Sequence, residues 1–146
     1  MSSPSVRLRK VREGDLPIFY AHQRDPEAVR MAAFPSRDRE AFMAHWAKIT
    51  REETVITRTI VAGGIVAGNI VSFMRGDTRE MGYWLGREFW GRGIATKALH
   101  LFLSGHTARP LYAGVATHNA ASLRVLEKCG FALSHQEGDF YILLLA

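Results

Sequence analysis

Apolar and polar positions follow a strand period in some stretches of the chain and a helical period in others. Apolar residues set among basic ones predict a short first strand over about residues 6–11. Helix-start signals built from aspartate and proline follow. They predict three helices, over about residues 15–23, from residue 25 to the Phe34-Pro35 break, and from Ser36 or Asp38 to about Thr50.

A meander of three strands is predicted next, because β-branched stretches alternate with glycine turns. Its strands cover about residues 54–62, 65–75 and 80–85, with Gly68 weakening the second strand or marking a bulge. A helix to Gly105, a strand over 110–117, a helix over 120–129 and a hairpin of 131–136 and 140–145 complete the chain. We expect an α/β fold with a mostly antiparallel sheet, helices on both faces, and a parallel pair formed by strands 80–85 and 110–117.

The totals fit one globular domain over residues 1–146, with 47% hydrophobic and 23% charged residues. No apolar run approaches the roughly 20 residues that span a bilayer, and the N-terminus lacks a hydrophobic signal core. We therefore expect a cytoplasmic protein with no membrane partner. The single cysteine, Cys129, excludes an internal disulfide framework and is interpreted as a small buried side chain.

The formal net charge is +5, and the only local basic cluster lies within residues 7–12. Such a cluster can bind nucleic acid or an anionic ligand, but a solvated strand edge is the favoured interpretation. No recognised nucleic-acid motif is present, so no nucleic-acid partner is expected. The six histidines show no metal-ligand spacing, and no metal is expected.

A glycine turn, Gly91-Arg92-Gly93-Ile94-Ala95-Thr96, separates the third meander strand from the following helix. The first amides of a helix have no intrahelical partner, and with the helix dipole they form a site suited to phosphate. The dinucleotide fingerprint is incomplete because its third glycine is missing, and no P-loop lysine follows. A plain helix-start turn remains an alternative.

A second group of residues, Asn119-Ala-Ala-Ser122, opens the next helix and places Asn119 and Ser122 on one face of its first turn. Taken singly, the pair is best explained as an N-cap and a surface serine. The pair does not stand alone, however. It is preceded by a strand with an acidic residue and by a Gly-x-Gly-x-Ala turn, and it is followed by Lys128-Cys-Gly-Phe131. This combination favours a functional role for the pair.

Together these stretches resemble the GNAT acyltransferase superfamily, most closely the branch that includes bacterial ribosomal-protein-alanine N-acetyltransferases. The carrying residues are Glu80 to Leu85, Trp90 to Thr96, and Asn119 to Phe131. The resemblance implies a sheet in which two parallel neighbouring strands splay apart around acetyl-CoA. The cofactor-binding residues it implies are Tyr83, Trp84, Leu85, Arg92, Gly93, Ile94, Ala95, Thr96, Asn119 and Ser122.

The resemblance also implies catalytic roles. Ser122 stands where the ribosomal-protein branch places a serine and would donate a proton to the departing CoA thiolate, whereas Leu126 replaces the tyrosine acid of many members. Trp90 replaces a glutamine or arginine that precedes the glycine turn. Glu80 is the candidate base for the acceptor amine, directly or through water. Its alternative role is an ion pair with Arg79 or Arg87.

The predicted function is an N-acetyltransferase that moves acetyl from acetyl-CoA to a primary amine, a protein N-terminus or a small amine, by direct attack in a ternary complex. The alternative is a catalytically silent acetyl-CoA-binding sensor or interaction module. A peptide N-terminus, a polyamine, an antibiotic and a small amino compound all stay open as acceptors. Dimers are common in the superfamily, so the resemblance admits a homodimer.

Overall fold

The computed structural model describes residues 4–146. Residues 1–3, part of the N-terminus interpreted as lacking a signal core, lie outside this range. The strands are β1 Val6–Arg9, β2 Ile56–Ala62, β3 Ile65–Arg75, β4 Thr78–Leu85, β5 Leu111–Ala116, β6 Ala132–Glu137 and β7 Phe140–Leu145. The helices are α1 Leu16–Arg24, α2 Pro26–Ala32, α3 Arg39–Ile49, α4 Ile94–Gly105 and α5 Ala120–Lys128, with 3-10 turns at Glu13–Asp15 and Arg87–Phe89. None of the helices within residues 4–146 is long and apolar enough to cross a membrane.

The strands form one seven-stranded sheet in the order β1-β2-β3-β4-β5-β7-β6. Neighbouring strands are antiparallel except β4 and β5, which are parallel, and this confirms the predicted fold class. Within the described residues, β4 and β5 pair at a single position, Glu80 opposite Tyr112. Because pairing stops there, the two strands part toward their C-terminal ends and leave an opening in the sheet.

Gly68 brings β3 unusually close to the end of β4. A Cβ on Gly68 would lie 2.0 Å from the carbonyl oxygen of Trp84. The register of β2 against β3 shifts between Ile60 and Val61, opposite this glycine, which confirms the predicted bulge. The absence of a side chain at Gly68 therefore lets β3 pack closely against β4 just where β4 forms one wall of the opening.

Two apolar clusters cover the two faces of the sheet. The larger one packs α4 and α5 against the sheet and includes Ile94, Leu99, Phe102 and Leu126, each at most 4% exposed. The smaller one joins α1 and α3 through three aromatic side chains and packs against β3, and its buried members are Phe19, Phe42 and Trp46. The opening between β4 and β5 thus has helices on both sides.

Asp15 ties the start of α1 to the edge of the sheet. Its carboxylate accepts two hydrogen bonds from the Arg9 guanidinium, at 2.7 and 2.9 Å, and one from the Thr59 hydroxyl at 2.7 Å. Burial alone would raise the pKa of Asp15, but these bonds outweigh it and lower the pKa to about 2. The aspartate of the first predicted helix start, Asp15, was expected to cap α1, but its side chain accepts no capping hydrogen bond from that helix. Arg9 belongs to the basic cluster of residues 7–12 that was expected to be a solvated strand edge, but it is paired with Asp15 and its side chain is only 15% exposed.

Candidate active site

A cleft lies where β4 and β5 separate. It is lined by residues of α2, the end of β4, the glycine turn and the first turns of α5. The lining residues are Ala28, Met31, Ala32, Tyr83, Trp84, Leu85, Trp90, Gly91, Ala95, Asn119, Ala121, Ser122 and Val125. Six residues expected to bind the cofactor are therefore brought together: Tyr83, Trp84, Leu85, Ala95, Asn119 and Ser122.

The end of β4 contributes side chains to both sides of the cleft, because successive residues of a strand point to opposite faces. Tyr83 packs against the larger cluster, on the side of α4 and α5. Trp84 lies on the opposite face and lines the cleft, and its indole nitrogen is buried without a partner among the described residues. A buried N–H donor in a cleft wall is costly unless a ligand accepts from it.

Ser122 and Tyr83 meet across the cleft. The Tyr83 hydroxyl lies 2.9 Å from Ser122 Oγ, and the Ser122 amide donates to Asn119 Oδ1 at 3.2 Å. Burial raises the pKa of Tyr83, although the hydrogen bond with Ser122 opposes this, and the tyrosine therefore keeps its proton. Asn119 caps α5 as expected, and Ser122 is held at the third position of the helix rather than on a free surface.

The glycine turn has the backbone needed for an anion site. Gly91 and Gly93 have φ of +70° and +75°, in the left-handed region that favours glycine. Gly93 is the N-cap of α4, and a Cβ on it would have no heavy atom within 4 Å. Trp90 anchors the turn, since its indole N–H donates to the Leu85 carbonyl at 2.9 Å. The amides that open α4 therefore face a space left free of side chains.

The turn residues themselves take different positions. Ala95 lines the cleft, whereas Ile94 is 1% exposed in the core. Arg92 extends along the surface over the Phe89 ring, 5.9 Å from its centroid.

Cys129, at the end of α5, is buried with its thiol 3.8 Å from the Thr96 carbonyl, and burial raises the pKa of the thiol. This agrees with a small buried side chain and not with a nucleophile.

Glu80 lies outside the cleft lining, at the start of the strand separation. Its carboxylate pairs with Arg75 at 2.7 Å, while Gly82 on the same face leaves open space beside it. The expected alternative partners are wrong, because Arg79 bonds the Ser72 hydroxyl and Arg87 pairs with Asp25. The ion pair is on the surface, since the Arg75 side chain is 72% exposed.

The wall formed by α2 was missed by the sequence analysis. Ala28, Met31 and Ala32 line the cleft from one face of this helix. Their spacing of three and four residues is the signal that could have identified them. His118 holds this wall to the loop before α5, because its Nε2 lies 2.7 Å from the Arg30 carbonyl oxygen.

The remaining histidines do not line the cleft. His22 packs directly on Gly86, where a Cβ would lie 2.6 Å from its Nε2. Burial lowers the pKa of His22, so the ring is neutral at pH 7. His106 is buried beside the Ser72 hydroxyl at 3.0 Å, on the α4 side of the sheet. No group of metal-ligating side chains occurs within residues 4–146.

Solved structures share this fold at low sequence identity. A domain from Methanocaldococcus jannaschii DSM 2661 has a TM-score of 0.83 at 17% identity, over 97% of this chain and 98% of that one. Spermidine N-acetyltransferase from Vibrio cholerae, solved with CoA and spermine, has a TM-score of 0.82 at 14% identity, over 96% and 94%. The ribosomal L7/L12 alpha-N-protein acetyltransferase RimL, solved with coenzyme A, has a TM-score of 0.80 at 18% identity, over 99% and 94%.

At these identities the solved structures show the fold alone. No curated protein matches the sequence. The model of the acetyltransferase (GNAT) domain, in contrast, matches residues 5–132, which is most of the chain. The match agrees with the glycine turn and with the cleft that lies between the parallel strands β4 and β5. The chain therefore belongs to the GNAT family of acetyl-CoA-dependent acetyltransferases.

Proposed function

We propose that the protein transfers acetyl from acetyl-CoA to a primary amine by direct attack in a ternary complex. The amine belongs to a protein N-terminus or to a small molecule that carries no additional positive charge. One observation carries the proposal. The cleft passes between β4 and β5, with Ser122 on one side of the sheet, the α2 wall on the other, and the glycine turn adjoining both. A thioester in the cleft is then accessible to a donor hydroxyl from one side and to an amine from the other.

The residues present fit the CoA part of the substrate. The amides over residues 92–96 would hold the pyrophosphate, because they open α4 beside two left-handed glycines. The pantetheine arm would follow β4 along Tyr83 to Leu85. The Asn119 carbonyl already caps α5, so its amide nitrogen would make the contact.

The acceptor must attack as a neutral amine. A lysine-type amine with pKa near 10.4 is only about one part in a thousand neutral at pH 7.4, whereas an α-amine near 7.8 is roughly a quarter neutral. An α-amine therefore needs less help from a base. Glu80 would provide that help through water from the start of β4, where Gly82 leaves the approach open.

The chemistry of the α2 wall favours an acceptor without additional positive charges. The three α2 side chains that line the cleft are apolar, and no carboxylate lines it within residues 4–146. Two carboxylates at the start of α2 are already neutralised, because Asp25 pairs with Arg87 and Glu27 with Arg30. A polyamine or an aminoglycoside would bury cationic groups here without partners, at a cost of several kcal/mol per ion.

We expect Ser122→Ala to lower kcat and kcat/KM together by about tenfold, with little change in acetyl-CoA affinity. The serine would act on the departing thiolate, and a contact made only in the transition state affects both parameters equally. Steady-state kinetics under conditions where chemistry limits turnover measure the effect. Ser104→Ala, an exposed hydroxyl in the last turn of α4, is the matched control. An unchanged kcat would reduce Ser122 to a structural residue of α5.

A further inference from the structure

The hydrogen bond between Tyr83 and Ser122 joins the two walls of the cleft. Tyr83 comes from β4 and Ser122 from α5, 39 residues apart, and the 2.9 Å bond crosses the space where the strands part. The position that carries a tyrosine acid in many related proteins is Leu126 here, which is 1% exposed in the core. A tyrosine hydroxyl nevertheless lies beside Ser122, and it comes from β4 instead of α5.

We propose that Tyr83 is a positioning residue for acetyl transfer, donating its hydroxyl proton to Ser122 Oγ so that the serine's own proton points to the CoA sulfur. The inference rests on the proposed function, because it assigns a second residue to the same step. No proton leaves Tyr83. The neutral acceptor nitrogen forms the new C–N bond to the acetyl carbon, and the C–S bond breaks with its electron pair on sulfur. The serine O–H stabilises the thiolate through a hydrogen bond, and the proton lost by the nitrogen passes to water, from which Glu80 would accept it.

The direction of the hydrogen bond follows from the chemistry of the two hydroxyls. A phenol is the more acidic of the two and the better donor, and a serine hydroxyl offers one donor and two lone pairs. Burial keeps Tyr83 protonated, since it disfavours the phenolate. When Ser122 accepts from Tyr83, its own O–H is free to point into the cleft. Without Tyr83, the Ser122 hydroxyl loses this hydrogen bond and is no longer held in one orientation by it.

Tyr83 contacts the core as well as the cleft. Its ring packs against the larger cluster, which fixes the hydroxyl with few alternative positions. The backbone of Ser122 is held by the hydrogen bond that its amide N–H donates to Asn119 Oδ1. Both hydroxyls are thus oriented before a ligand enters, and preorganised donors are the ones that contribute most to transition-state stabilisation.

The test is a double-mutant cycle of Tyr83→Phe and Ser122→Ala, with acetyl-CoA as donor and a peptide α-amine as acceptor. We expect Tyr83→Phe to lower kcat about tenfold while the KM for acetyl-CoA changes less than twofold. The double variant should be no slower than Ser122→Ala, because the two hydroxyls act as one unit. Tyr141→Phe, which removes a hydroxyl from β7 outside the cleft, is the matched control and should keep the wild-type kcat.

Ser122→Thr supplies a rescue that a purely structural role would not show. It keeps a hydroxyl and should retain most of kcat with Tyr83 present, and lose it with Tyr83→Phe. Independent, additive losses in the double variant, or a raised KM at unchanged kcat in Tyr83→Phe, would overturn the inference while leaving the acetyltransferase activity intact. A wild-type protein that releases no CoA thiol with any amine would overturn the proposed function itself, and the inference with it.

Discussion

Gly93→Val should reduce the affinity for acetyl-CoA by at least roughly 100-fold. The valine side chain would stand over the amides that open α4, where a Cβ now meets no other atom. A hydrogen bond to a charged group contributes about 1.5–3 kcal/mol, so loss of two such bonds to a phosphate corresponds to roughly 100-fold or more. Isothermal titration with acetyl-CoA measures the change directly.

The substitution also strains the backbone, and a matched control separates the two effects. Gly93 has φ of +75°, and a non-glycine residue there costs of order 1–3 kcal/mol. Gly76, in the turn between β3 and β4, has φ of +60° and equally open space around a Cβ. Gly76→Val should lose a similar amount of stability and keep wild-type affinity. Equal affinity in both variants would contradict the phosphate site.

Glu80→Gln should lower activity at neutral pH by roughly 10²-fold if Glu80 is the base. Glutamine keeps the shape of the side chain but cannot accept a proton. The loss should shrink above about pH 9, because an α-amine with pKa near 7.8 is then neutral without help. The pH–rate profile of the variant, measured with a true acceptor, tests this expectation.

Arg75→Gln is the control for Glu80, because it breaks the same ion pair and leaves the carboxylate in place. The pair is exposed on the Arg75 side, so either variant should lose at most about 1 kcal/mol of stability. We expect Arg75→Gln to keep activity within about threefold. If both variants behave alike, or if Glu80→Gln loses the same factor at every pH, Glu80 has no role as a base.

Local rules explain which parts of the fold and site the sequence could predict. The caps at Asp25, Asp38 and Asn119 each accept from an amide two or three residues ahead, so they depend only on neighbours. The glycine turn is equally local, because its left-handed backbone requires glycine at Gly91 and Gly93. These features place the glycine turn and Ser122 without knowledge of the packing.

Contacts across the sheet were beyond such rules. The Glu80 partner was wrong because residues adjacent in a strand point to opposite faces, so Arg79 cannot reach the carboxylate. Arg75 reaches it instead, as a diagonal neighbour across the β3–β4 turn. The Tyr83–Ser122 bond depends on how far β4 and β5 part, and no pattern along the chain encodes that separation.

The α2 wall was missed for a different reason. The helix has only seven residues, and its helical spacing of Ala28, Met31 and Ala32 is too short a pattern to separate a cleft wall from an ordinary buried face. Whether this face of α2 lines a cleft or packs in the core depends on the arrangement of the sheet strands next to it. The apolar character of this wall is nevertheless the basis of our proposal that the acceptor amine carries no additional positive charge.

One measurement tests most directly whether the protein acetylates a primary amine that carries no additional positive charge. Release of CoA thiol from acetyl-CoA is followed with three acceptors at equal concentration: a peptide with a free N-terminal alanine and neutral following residues, the same peptide with a blocked N-terminus, and spermidine. We expect stoichiometric acetylation of the free peptide, none of the blocked one, and a much lower kcat/KM for spermidine. Preference for spermidine, or no acetylated amine although acetyl-CoA binds, would contradict this expectation.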